Sequence, residues 1–158
     1  MTRKIFVLLF TFTAGAVAGH FAIQSSVVPV WAAETHKRVF MTHLFTGPDN
    51  QTHAEQIELK FAPGKPGDIS KLMSVSAAEV HRNPANSVDD WHRAPRRQYV
   101  VTLSGHAEIE VAGGKKISIG PGHIDFVEDV TGKGHITRTV GPDDRVTLQL
   151  PLSDQAGR

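Results

Sequence analysis

The chain has 158 residues, with 17 Lys and Arg against 16 Asp and Glu and a formal net charge of +1, which fits one domain plus an appendage. That balance leaves no strong field for nucleic acid or an anionic membrane surface, and the basic residues are interleaved with acidic ones apart from Arg93, Arg96 and Arg97. The absence of cysteine excludes disulfides, thiolate metal sites and a thiol nucleophile, whereas nine histidines supply imidazole generously.

In chain order, the first element is a leader. Arg3 and Lys4 precede the apolar run IFVLLFTFTAGAVAG, the pattern of a secretory signal. Ala16 with Ala18, or Val30 with Ala32, offers small residues for cleavage, and the later site leaves a mature chain starting near Ala33. Residues 1–33 are therefore expected to be a signal peptide, or alternatively an N-terminal membrane anchor, since Ile5 to Ile23 nearly suffices to cross a hydrocarbon layer of about 30 Å. His20, Gln24, Ser25 and Ser26 interrupt that run and favour cleavage. Either way residues 34–158 are expected in the periplasm or outside the cell, and a membrane is a partner only if the leader stays attached.

From Lys37 onward the pattern is one of short strands between turn residues, without a helical stripe. RVFMTHLF ends at Gly47-Pro48-Asp49-Asn50, and AEQIELKF ends at a stretch from Pro63 to Asp68 rich in Gly and Pro. KLMSVSAAEV leads into HRNPANSVDDWHRAPRR, which reads as a long polar loop, and then into QYVVTL. HAEIEV, a Gly113-Gly114 hairpin, KKISI, HIDFVE, HITRTV and RVTLQLPL follow, about nine strands at the spacing of sandwiches and barrels. Alternation sets Ala107, Ile109 and Val111 against His106, Glu108 and Glu110, and Val146, Leu148 and Leu150 against Arg145, Thr147 and Gln149. Each strand thus has one face suited to a core and one suited to solvent or a polar cavity.

Two segments, WHRAPRRQYVVTLSG and GPGHIDFVEDVTGKGH, resemble the two motifs of the cupin superfamily. The resemblance implies an all-β fold, the double-stranded β-helix or jelly-roll barrel. It spans roughly Met73 to Leu150. In the first motif it places His92 at the first histidine, Ala94 at the second and Gln98 at the glutamate, counting back from Gly105; in the second it places His135 at the histidine. The resemblance implies a site of three histidines and a carboxylate, from which this chain departs twice. Ala94 has no donor atom, and the Gln98 amide offers only a neutral oxygen.

Two readings stand side by side. In one, His92, Gln98 and His135, helped by His43, His53, His81 or His123, bind iron, manganese, nickel or zinc for metal-assisted chemistry on a small oxygenated or anionic molecule. In the other, the same cavity is a binding or sensing module of the cell envelope with no metal. Arg96 and Gln98 are the candidate ligand-binding residues, since Arg96 points the same way as Gln98 if the strand extends that far and a guanidinium clamps a carboxylate or phosphate, the alternative for Arg96 being an ion pair with Asp89, Asp90, Glu128 or Asp129; Tyr99 is a candidate wall for a ring. Glu128 and Asp129 form a candidate acid/base pair of which only one enters the cavity, Glu128 being the catalytic candidate. Lys133 in TGKGH reads as an exposed turn residue. The partners expected are a small molecule, no nucleic acid, and a second copy of the chain, since homodimers are usual for the family.

Overall fold

The computed structural model describes residues 36–155; the expected leader lies outside the described residues. Twelve strands are present: β1 Phe40–Thr46, β2 Thr52–Glu58, β3 Phe61–Ala62, β4 Ile69–Ser70, β5 Glu79–Asn83, β6 Val88–His92, β7 Gln98–Ser104, β8 His106–Glu110, β9 Lys116–Ile119, β10 Ile124–Val127, β11 His135–Val140 and β12 Arg145–Pro151. One six-stranded sheet has the order β2-β1-β10-β7-β12-β5, and a four-stranded sheet has the order β6-β11-β8-β9. The short β3 and β4 make a separate hairpin. Within the large sheet only β1 and β10 run parallel; sequence-distant strands lie side by side, as in a jelly roll.

The inner faces follow from period-two alternation and meet in one core. Leu44 from β1, Val100 from β7 and Val127 from β10 pack with Ala107 and Ile109 from β8 and Ile119 from β9. Leu44 is fully buried, and each aliphatic side chain of this kind contributes about 1.5–3 kcal/mol by leaving water. The expected inward face of HAEIEV is the one observed, with Ala107 and Ile109 buried.

Two elements differ from the sequence expectation. The long polar loop contains β6, and most of KLMSVSAAEV is irregular, the strand there starting only at Glu79. Strand β6 is an edge strand bonded to β11 alone, and its residues Val88 to Trp91 are exposed. Alternation vanishes where neither face is buried, and paired aspartates are what an edge carries to discourage further pairing. In β12, Arg145 and Thr147 are buried, as is the terminal Pro151, while Val146 and Leu148 are only partly covered, so the polar face turns inward.

A candidate binding cavity

Between the sheets lies a cavity of about 260 Å³, lined by residues of both motifs. Leu44, Ala94, Val100, Ile109 and Val127 supply its apolar wall, and Gln98, Asp125, His135, Thr137, Thr139, Arg145 and Gln149 its polar one, with His81, Asp89 and His92 completing the lining. At roughly 30 Å³ of liquid per water, the space matches a small metabolite rather than a polymer segment.

His135 opens β11 and stands opposite His92 of β6 in the antiparallel register. The two strands approach so closely that a Cβ on Gly134, which has φ +80°, would lie 1.9 Å from the His92 carbonyl oxygen, which explains the glycine before the motif histidine. The His92 and His135 rings meet with centroids 4.4 Å apart. His135 Nδ1 lies 2.6 Å from Asp129 Oδ2, which also accepts a hydrogen bond from Thr52 Oγ1 at 2.9 Å. A carboxylate only accepts, so Nδ1 carries a hydrogen, and the other ring nitrogen, Nε2, has no protein partner among the described residues. His92 Nδ1 bonds the Asp90 carbonyl at 2.8 Å, and its Nε2 lies 3.4 Å from Asp89 Oδ2.

Gln98 is buried and lines the cavity, as expected from the first motif. Arg96 does share its side: Nε donates to Gln98 Oε1 at 3.2 Å, and Nη2 lies 2.5 Å from Glu79 Oε2. Arg96 is thus occupied by Glu79 and Gln98 and is absent from the cavity lining.

Tyr99 and Glu128 lie elsewhere. Tyr99 stacks on Phe126 at 4.9 Å between centroids on the outer face of the large sheet, and burial, with help from the Glu128 charge, pushes its phenol pKa up. Glu128 is held by Arg97 and by His43 Nε2, the latter at 2.8 Å. Adjacent residues face opposite ways, so sending Asp129 behind His135 turns Glu128 outward. Of the spare histidines, only His81 lines the cavity; His43 bridges Glu55 and Glu128, His53 pairs with Asp49, and His123 Nε2 lies 2.9 Å from Thr42 Oγ1. Lys133 caps the Trp91 ring, its Nζ 3.7 Å from the centroid.

Sequence reasoning missed Arg145, Asp125 and Thr102. Arg145 is buried with Nε and Nη2 donating to Thr102 Oγ1 at 3.3 and 3.0 Å, and its Nη2 lies 3.8 Å from Asp125 Oδ2. Desolvation holds its guanidinium below the usual value, the Asp125 charge opposing. A signal existed in RVTLQLPL, where Arg145, Thr147 and Gln149 share one face.

The residues present do not fit a divalent metal. His92 and His135 are two imidazoles, Ala94 contributes nothing, and the Gln98 oxygen already faces a guanidinium, which repels a cation placed there. Among the described residues no group of three His, Asp or Glu side chains is arranged to hold a metal ion.

No protein-family model and no curated protein matches the chain. Among solved structures it is similar to the Schizosaccharomyces pombe Cnp3 cupin domain, with 15% identity, 75% of this chain and 90% of that chain covered, and a TM-score of 0.43. It is similar also to a cupin 2 conserved barrel domain protein from Rhodopseudomonas palustris, with 18% identity, 76% and 74% covered, and a TM-score of 0.40. An RmlC-like cupin protein from Desulfovibrio desulfuricans gives 16% identity, 71% and 81% covered, and a TM-score of 0.37. Two facing sheets in jelly-roll order, with His92, Gln98 and His135 of the two motifs on one cavity between them, make the chain all-β.

Proposed function

We propose that the barrel is a small-molecule-binding domain whose cavity takes a small, oxygen-rich molecule directly, without a metal ion. The observation that carries this reading is the state of Gln98. Its oxygen is turned to Arg96, which removes the third donor a metal would need. The cavity nonetheless keeps polar groups for a ligand, among them His135 Nε2, Gln149 and Thr137. Metal analysis of protein purified without chelator tests it: less than about a tenth of an equivalent of iron, manganese, nickel or zinc is expected. A full equivalent that disappears in the His92→Ala, His135→Ala double variant would overturn the proposal in favour of the metal-assisted enzyme.

Export and self-association belong to the same proposal. The apolar leader after Arg3 and Lys4 supports export to the cell envelope, and N-terminal sequencing of protein from the periplasmic fraction checks it, a start near Ala33 being the expected result. Pairing of two copies is supported by an apolar row on the outer face of the large sheet, where Val80, Leu148, Val101 and Ile124 are register neighbours.

A further inference from the structure

Arg145 is the first residue of β12, and its place depends on the bare backbone of Gly105: a Cβ there would meet the Asp144 carbonyl oxygen at 2.5 Å and Arg145 Cα at 2.8 Å. Only 6% of the residue is exposed, and its side chain lines the cavity. A guanidinium carries five N–H donors, of which Nε and one on Nη2 share the single oxygen of Thr102. The neighbouring Asp125 carboxylate stands 3.8 Å from Nη2, outside hydrogen-bond distance, and its other oxygen is 3.1 Å from His123 Nε2. Asp125 therefore offsets the charge of Arg145 without taking its hydrogens. Among the described residues Nη1 has no protein partner. Charged donors removed from water are costly when unmatched, and a structural ion pair brings its donors into contact with the carboxylate, which this one does not.

We propose that Arg145 is an anion subsite of the cavity, and that its free Nη1 edge holds the carboxylate group of the ligand. Two parallel N–H donors match two carboxylate oxygens, and the cavity is of a size for a small organic acid. The inference rests on the reading of the cavity as a ligand site and adds the chemical class of the ligand.

Acetate, its neutral near-isostere acetamide, inorganic phosphate and glycerol serve as probes, read from the side-chain resonances of ¹⁵N-labelled protein. The Arg145 Nε–H signal is assigned by its loss in Arg145→Lys, which keeps the charge and removes the fork. Acetate is expected to shift that signal saturably, with a Kd on the order of 1 mM to 10 mM, while acetamide leaves it unmoved. In Arg145→Lys, the acetate-dependent shift of the Gln98 amide is expected to weaken about tenfold or more. The double variant Arg145→Met, Asp125→Asn removes both charges together, so that no unpaired ion is left buried, and is expected to lose the response entirely. An Arg145 signal unmoved by acetate, moved equally by acetamide, or moved more tightly by phosphate than by acetate overturns the proposal. If glycerol shifts the His135 and Gln98 signals while acetate leaves Arg145 unmoved, the cavity reading survives and this inference alone fails. If no probe shifts any cavity signal, both fail.

Discussion

Asp129 shows how one residue can set the chemistry of another. It is fully buried, bonds His135 Nδ1 and Thr52 Oγ1 through one oxygen, and leaves its Oδ1 without a partner. Because the carboxylate cannot donate, it fixes which ring nitrogen of His135 holds the hydrogen. Asp129→Asn supplies one acceptor to two donors and sets an amide hydrogen where the orphaned oxygen lay, at a cost of about 1–3 kcal/mol. Long-range ¹⁵N spectra of the wild type are expected to show the Nδ1–H tautomer of His135, with a mixture in the variant, and denaturant titration is expected to show the loss of stability. A wild-type spectrum with the hydrogen on Nε2 would contradict the arrangement. Nothing in the sequence distinguished Asp129 from Glu128. Both end the same strand pattern, and the choice is made by the position of His135, six residues later in sequence and bonded side chain to side chain.

Strand β5 illustrates how an edge element is tied to the cavity wall. Its first residue, Glu79, bonds His81 on the same strand and Arg96 beside the first motif, and these hydrogen bonds hold its carboxyl below the ordinary value of 4.5. A carboxyl with a depressed folded pKa contributes stability that is present above its unfolded pKa and lost as pH falls through its folded pKa. The stability difference between wild type and Glu79→Gln is therefore expected to be constant above about pH 5 and to shrink below the ordinary carboxylate range. The residue is solvent-exposed, so the effect is small and screened by salt. Urea unfolding at a series of pH values checks it; a difference that grows on acidification would contradict the sign. Strands β7, β8 and β12 were legible in the sequence because each has one buried face, whereas β6 was read as loop because an exposed edge strand carries no hydrophobic period.

At the scale of the whole molecule, the large sheet presents an apolar outer face. Val80 is 68% exposed and Leu103 50% exposed, on strands adjoining β12. If two copies pair through this face, Val80→Lys with Leu103→Lys converts the dimer to a monomer, because both charges would be desolvated at the interface. Light scattering after gel filtration is expected to give twice the chain mass for the wild type and a single chain mass for the variant, with the same circular dichroism; a monomeric wild type would end the dimer proposal. By itself the sequence determined the all-β class, the turns, the core face of HAEIEV and the placement of His92, Gln98 and His135 on one cavity. These depend on side-chain alternation and on Gly and Pro punctuation, which act within a few residues, and on two recognisable motifs. Only the tertiary structure decided that Arg96 occupies Gln98, that Asp129 rather than Glu128 supports His135, and that Arg145 faces inward. The inward turn of Arg145 depends on the register of β12 against β7, strands tens of residues apart, while the Arg96–Gln98 and Asp129–His135 contacts, two and six residues apart, depend on where the neighbouring strands place those side chains; neither leaves a local pattern to read.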